Sequence, residues 1–361
     1  MKRLVIALGL LVIVGFSGQL LPFEGLLRHI EFTPPGCSLG ERITAANRGR
    51  TVSDCTRGDT PGTIFLHSNV KLRSALPPIT SHITIFGNGH WISGDDRFRI
   101  FLVKGGNLTL IDVALRNGKA WRGGAIKQLA NADVHLANVS IMDSRASVGG
   151  AIYNQGGRLI IDRSSFKNNR ASSIGGVIFN DGELVVRQSS FHHNSSNHSA
   201  GGIDSRGTLD ISNSTISNNQ ARRLGGGLHV RGNNIAQFTH VTVTENLAPR
   251  GGGIYSSNDE LVLINSLIVA NHSSAYCGHD NVLTVKSIAS YINDSCGKRR
   301  ATRPWWLRSL NHAPAFHALA YASEDLPAAD RNYCPKTDQR GAERTPGFGC
   351  DIGAYEFTGN N

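Results

Sequence analysis

The sequence predicts a single all-β domain, a right-handed parallel β-helix, and three observations carry that prediction. Six glycine-rich closers ending in an aliphatic residue recur along the chain: GGAI at Ile126, GGAI at Ile152, GGVI at Ile178, AGGI at Ile203, GGGL at Leu228 and GGGI at Ile254, spaced 26, 26, 25, 25 and 26 residues apart. A fixed period of this length marks a solenoid. Each period also carries a short alternating strand, as in Leu159-x-Ile161, Leu184-x-Val186, Leu209-x-Ile211 and Leu261-x-Leu263. The alternation has period two, not the 3.6 of a helical repeat. A second apolar position follows at Phe166, Phe191, Ile216 and Ile268, and asparagines recur at Asn169, Asn194, Asn219 and Asn246. Parallel strands joined coil to coil wind right-handed, and coils then stack at about 4.8 Å.

This geometry assigns a task to each repeated residue. The alternating aliphatics fill the bore, each on its counterpart one coil away, at roughly 1.5–3 kcal/mol per buried side chain. The asparagines belong at a bend, where an amide can bond its own backbone and the equivalent amide next door. The paired glycines belong where the chain turns against the neighbouring coil without room for a Cβ. All of these are scaffold roles, so chemistry has to be sought at positions that vary.

Taken in order, residues 1–25 read as an export signal: Lys2-Arg3, then an apolar run over Leu4–Phe16, then small residues near Ser17. If Gln19 is tolerated, Leu4–Phe23 instead forms an uncleaved anchor, the one membrane contact the sequence offers. Residues 26–60 form an N-terminal cap, with a helix expected over Leu39–Asn47. Strands begin at Thr63–Leu66 and continue through Ile83–Phe86, Trp91–Ser93 and Phe101–Val103, so residues 61–297 make up the solenoid. From 298 to 361 the composition shifts to Pro, Trp, His and Ala, a C-terminal cap or tail. Six cysteines fall as three local couples, Cys37 with Cys55, Cys277 with Cys296 and Cys334 with Cys350. The couples flank the repeats, where disulfides would stabilise the terminal caps in an oxidising compartment; six cysteines allow 15 connectivities, and proximity selects this one. No cysteine or histidine spacing matches a zinc site, and the expected metal is none.

The chain has 361 residues and a net charge of +10, carried mostly by scattered single Arg and Lys residues, with one cluster at Lys298–Arg300 near Arg303 and Arg308. This favours an anionic partner such as an acidic polysaccharide or a cell-envelope component. No nucleic-acid reading motif is present, and the expected state is a monomer.

Two segments carry a resemblance. Cys37-Ser38-Leu39, Ala45-Ala46-Asn47, Asp59-Thr60 and Ile83-Thr84-Ile85-x-Gly87-x-Gly89 resemble the start of many exported bacterial β-helix proteins. His317-Ala318-Leu319, Cys334–Gly341 and Cys350–Glu356 are similar to the C-terminal segment of the choice-of-anchor β-helix family. Repeats of the Gly-Gly-Ala-Ile-Tyr-Asn type also resemble polymorphic outer-membrane proteins and adhesins. The resemblance implies a pectate-lyase-like solenoid in a bacterial secreted, periplasmic, outer-membrane or cell-surface protein, without implying an activity. Relatives often add a sorting or anchoring tail where this sequence ends at Asn361.

The candidate site is the outward position just after each closer: Lys127, Tyr153, Phe179, Asp204, His229 and Tyr255. Tyr153, Phe179 and Tyr255 offer aromatic faces to sugar rings, and Arg206 and Arg231 offer cations to an anionic sugar. Asp204 and His229 are the acid/base pair that catalysis would use. Such a row also has a purely structural explanation, since stacked side chains pack on one another in any sheet. The main expectation is therefore a non-enzymatic surface protein that binds glycans or envelope and needs no cofactor. The alternative is a polysaccharide lyase, hydrolase or epimerase, with Ca2+ required only for a lyase; the scattered acids Asp112, Asp133, Asp162, Asp181, Asp210 and Asp259 do not cluster as a calcium site would need. His192, His193 and His198 form a local group near a bend, read as a solvated loop.

Overall fold

Alternation along the strands turns directly into the core. In Arg158–Asp162, Leu159 and Ile161 are fully buried while Arg158 is exposed. Leu159 pairs in register with Val134 on one side and Leu184 on the other, and Leu184 with Leu209. Phe166 stacks on Phe191 with ring centroids 4.6 Å apart and planes 4° from parallel. The computed structural model describes residues 37–51, 59–232, 234–258, 260–276, 284–295, 329–344 and 350–356. The expected signal or anchor, residues 1–25, lies outside them, as do Cys55, Cys277, Cys296 and the cluster at Lys298–Arg300. Among the described residues every strand-to-strand ladder is parallel, and the chain forms the expected parallel β-solenoid of about eight turns.

The expected asparagine ladder is present and one coil longer. Side-chain amides donate from Asn169 to Asn194 at 3.1 Å, and from Asn194 to Asn219, Asn219 to Asn246 and Asn246 to Asn271 at 2.9 Å each. Each Oδ1 also accepts the backbone N–H of the preceding ladder residue, as Asn194 does from Asn169 at 2.8 Å. Every member is buried, so no water could replace these partners. Asn194→Ala strands the Asn169 donors and the Phe166 carbonyl. Each unmet buried group costs about 1–3 kcal/mol, for a loss of about 3 kcal/mol in denaturant unfolding.

Two bends per coil use left-handed backbone at residues other than glycine. One column runs Asp112, Asn138, Arg163, Gln188, Asn213, His240 and Asn265, with φ between 44° and 55°. The other runs Asn117, Asp143, Asn168, His193, Asn218, Glu245 and Ala270. The glycine closers are tight for the expected reason: a Cβ on Gly150 would lie 2.1 Å from the Gly176 carbonyl oxygen one coil away.

The first coil is covered by helix α1 (Leu39–Ala46). Ser38 and Glu41 form a reciprocal capping box at its start, and Leu39, Ile43 and Ala46 join the apolar core. Arg42 grips Asp59 through two bonds of 2.6 and 2.8 Å, fixing the entry of the chain into the first strand.

The described part of the C-terminal segment lies along the flank of the coils. Residues 330–344 and 350–356 form a strap along the flank, bound to the left-handed bend column of four successive coils. Gln188 donates to the Asp338 carbonyl at 2.9 Å and Asn213 to the Thr337 carbonyl at 3.0 Å. Asn265 and Asp330 exchange bonds of 2.9 and 2.7 Å. The bend side chains are what the strap reads, which explains why polar residues of different types occupy that column. Cys334–Cys350 closes the strap as expected, and Cys37 is also disulfide-bonded. Inside the strap, Arg340 pairs with Asp338 at 2.7 Å and lies 3.7 Å from the Tyr355 ring centroid. Glu356 pairs with Arg344 at 2.7 Å, a residue the sequence did not single out.

His240 sits beneath this strap, fully buried, with Nε2 3.2 Å from the Tyr333 carbonyl. Burial first, then the Arg344 charge, pushes its imidazole from 6.5 down to about 3. The unfolded chain takes up that proton near 6.5, whereas the folded chain holds out until about 3. Stability is therefore full above the upper value and falls by about 1.4 kcal/mol per pH unit through the window below it. His240→Asn, which keeps a side chain tolerant of left-handed backbone, flattens that slope in unfolding measured across the window.

Candidate functional site

The face that carries the predicted row is a seven-stranded parallel sheet with one strand per coil. Its strands are β1 (Phe101–Val103), β2 (Ile126–Gln128), β3 (Ile152–Asn154), β4 (Ile178–Asn180), β5 (Ile203–Ser205), β6 (Leu228–Gly232) and β7 (Ile254–Asn258). The closer's aliphatic residue points into the bore, so the next residue points out. Register brings Lys127, Tyr153, Phe179, Asp204, His229 and Tyr255 side by side, with Leu102 beyond Lys127. A second ladder runs one position further on: Asn154 donates to Asn180 at 2.8 Å and Asn180 to Ser205 at 2.9 Å. It holds the strand ends, and its signal, a polar residue two after five of the six closers with Val230 the exception, is present in the sequence.

The row is assembled as expected, but it is covered. Tyr153, Phe179, His229 and Tyr255 are each no more than 8% exposed, and Asp204 is fully buried. Tyr153 and Phe179 stack at 5.1 Å and 9°. Arg122 and Arg206 lie across them, with Cζ 5.2 Å from the Tyr153 centroid and 5.3 Å from that of Phe179. His229 meets Tyr255 edge-on at 5.3 Å. The rings therefore face guanidinium groups, and Arg206 acts through Phe179.

Asp204 and His229 do meet: Nδ1 of His229 lies 3.0 Å from Oδ2 of Asp204. Arg231 takes the other oxygen, donating from Nε at 3.0 Å and from Nη2 at 2.7 Å. A carboxylate on an imidazole is the arrangement that orients a general base. Here the carboxylate also accepts two charge-assisted bonds from Arg231 on its other oxygen, which uses Arg231 as a structural partner. Beside this triad, His198 bonds Arg223 at 2.9 Å. Burial first, then Arg223 and His229, hold the His198 imidazole below the usual histidine range.

Cations outnumber acids on this face. Among the described residues Arg99, Arg122, Lys127 and Arg206 form no ion pair. Burial holds Arg99 below the ordinary arginine range, and burial followed by Arg99 and Arg122 lowers Lys127.

A cleft of about 500 Å³ lies on the flank, between Gln339 and Arg340 of the strap and bend residues including Asn138, Arg163 and Gln188. One cluster among the described residues has metal-ligand spacing, His240 with Cys334 and Cys350. Its two sulfurs are bonded to each other, so neither offers the thiolate a metal needs. His192 and His193 meet at 3.0 Å between Nδ1 atoms, and His192 is buried, not solvated as the sequence had suggested. Among the described residues no helix is long and apolar enough to cross a membrane.

Residues 163–181 match the Chlamydia polymorphic membrane protein repeat. The matched stretch contains Phe166, Asn169, the Gly175-Gly176 closer and Ile178-Phe179-Asn180, so it is the repeat's scaffold that is shared. The match stops short of the Cys334–Glu356 segment. No curated protein and no solved structure matches the chain. Together with the parallel solenoid, the repeat match fits a surface-exposed bacterial β-helix protein of the polymorphic outer-membrane type.

Proposed function

We propose that this chain is an exported bacterial surface protein that binds an acidic glycan, or a similarly anionic envelope component, through the face built on β1–β7, without catalysing a reaction on it. The observation that carries this reading is the charge imbalance of the face. The buried carboxylate of Asp204 is consumed by His229 and Arg231, while Arg99, Arg122, Lys127 and Arg206 have no acidic partner among the described residues. Aromatic rings beneath the Arg122 and Arg206 guanidinium groups fix those two cations in place.

The test is retention of the full chain on immobilised polygalacturonate across a salt series, with uncharged dextran as control. Binding that weakens steadily with salt, as screening of exposed charges requires, is the expected result. Equal retention on dextran, or none on either surface, would count against it. A second reading, a polysaccharide-active enzyme, is favoured by one observation, the 3.0 Å contact between Asp204 and His229. It requires that contact to be catalytic, with a folded but inactive Asp204→Asn variant.

A further inference from the structure

The row predicted from the sequence draws attention to Asp204 and His229, but the cations without partners collect at the other end of the face. Arg99 reaches from the coil below and donates to the Arg122 carbonyl at 3.0 Å and the Gly123 carbonyl at 3.1 Å. Those carbonyls anchor its guanidinium without neutralising it. Arg122 and Lys127 then flank a single ring, with Cζ 5.2 Å and Nζ 5.9 Å from the Tyr153 centroid. Trp121, next to Arg122, is 73% exposed, the most exposed of the large apolar side chains among the described residues. Its backbone is not loose, since its carbonyl accepts the N–H groups of Ser147 at 2.9 Å and Val148 at 3.3 Å.

Three like charges held together cost energy in the free protein, and the scaffold supplies no acid among the described residues to offset them. Burial together with Arg99 and Arg122 lowers the Lys127 ammonium from its ordinary value, which an arriving anion would reverse. An exposed indole has no structural task here, yet it is the side chain best suited to lie against the apolar face of a sugar ring. Planar guanidinium groups suit a carboxylate or sulfate on that sugar.

We infer that Arg99, Arg122 and Lys127, with Trp121 beside them and Tyr153 beneath, form a subsite for an acidic sugar residue. This rests on the glycan-binding reading of the same face and assigns its strongest contact to the β1–β3 end, away from Asp204.

The experiment titrates the full chain with an oligogalacturonate of defined length, its methyl ester and inorganic phosphate, reading calorimetry and tryptophan emission. The oligogalacturonate binds and shifts the emission, while the neutral ester and the phosphate bind far more weakly. Arg122→Ala and Lys127→Ala each weaken binding about tenfold, as expected for the loss of a charge-assisted contact. Trp121→Phe abolishes the emission change and weakens binding several-fold. Arg122 is exposed and Lys127 half-buried, so thermal unfolding of these variants should match the parent.

Binding that survives the Arg122→Ala/Lys127→Ala double substitution but falls in Arg206→Ala would overturn the subsite and leave the broader function standing. No binding of any acidic oligosaccharide by the parent would remove the function and the subsite with it. Phosphate binding as tight as the oligosaccharide, lost in the same variants, would replace the sugar site with a simple anion site.

Discussion

Arg344→Met frees the C-terminal strap from the flank while the coils stay folded. Arg344 and Glu356 are both almost fully buried and pair at 2.7 Å. The same guanidinium donates to the carbonyls of Asp351 at 3.0 Å and Gly353 at 2.9 Å, and to Asn213 Oδ1 at 3.3 Å. It thus ties two parts of the strap to each other and to a coil. Methionine fills similar volume but leaves the Glu356 charge and two carbonyls unmet, and breaking a buried pair from one side costs about 3–5 kcal/mol. Because the solenoid's own ladders do not pass through the strap, that loss is local. Limited proteolysis should cut near residues 330–356 in the variant at concentrations that leave the parent whole. Circular dichroism should keep its β signature. Resistance equal to the parent would mean that the strap is held by other contacts.

Asp204→Ala destabilises the fold by about 3 kcal/mol, because it removes the one acidic partner that Arg231 has among the described residues. Asp204 accepts three bonds from two side chains and is fully buried. His229 is nearly buried as well, whereas the Arg231 side chain keeps 24% exposure and can recover some solvation. That escape keeps the cost below the upper end for buried pairs. Asp204→Asn retains the shape but loses the charge opposite Arg231, so it falls between the parent and alanine. Denaturant midpoints for the three proteins check the order. If Asp204→Ala melted with the parent, the triad would not be structural, and a chemical role for Asp204 would gain ground.

Why the sequence anticipated some features and not others follows from the physics of stacking. Repetition exposes whatever each coil must do identically. The bore residues, the Asn169–Asn246 ladder, the closers and the order of the Tyr153–Tyr255 row were therefore readable, and each has the same neighbours in every coil. Where coils differ, the pattern falls silent. Arg163, Gln188 and His240 adopt the left-handed backbone that glycine or asparagine usually signals. Nothing in their identity announces a bend, since the strap and the neighbouring coils hold them there. The burial of the row was also hidden. Alternation says that Tyr153 and Phe179 point outward, but not that Arg122 and Arg206 fold back over them from other positions. Trp121 lies just before a closer and Arg99 in a coil that has none, so both fall outside the register that links the row. The C-terminal motif was recognisable as a unit, whereas its place on the flank depends on hydrogen bonds to residues about 65 to 150 positions away.

The most direct test of the central reading follows both binding and chemistry in one sample: the disulfide-intact chain incubated with polygalacturonate, monitored for complex formation and for new unsaturated or reducing ends. The expected result is salt-sensitive binding with no product at any time. Product that accumulates with the parent and vanishes with folded Asp204→Asn would contradict it, and would make the Asp204–His229 contact the centre of an enzyme.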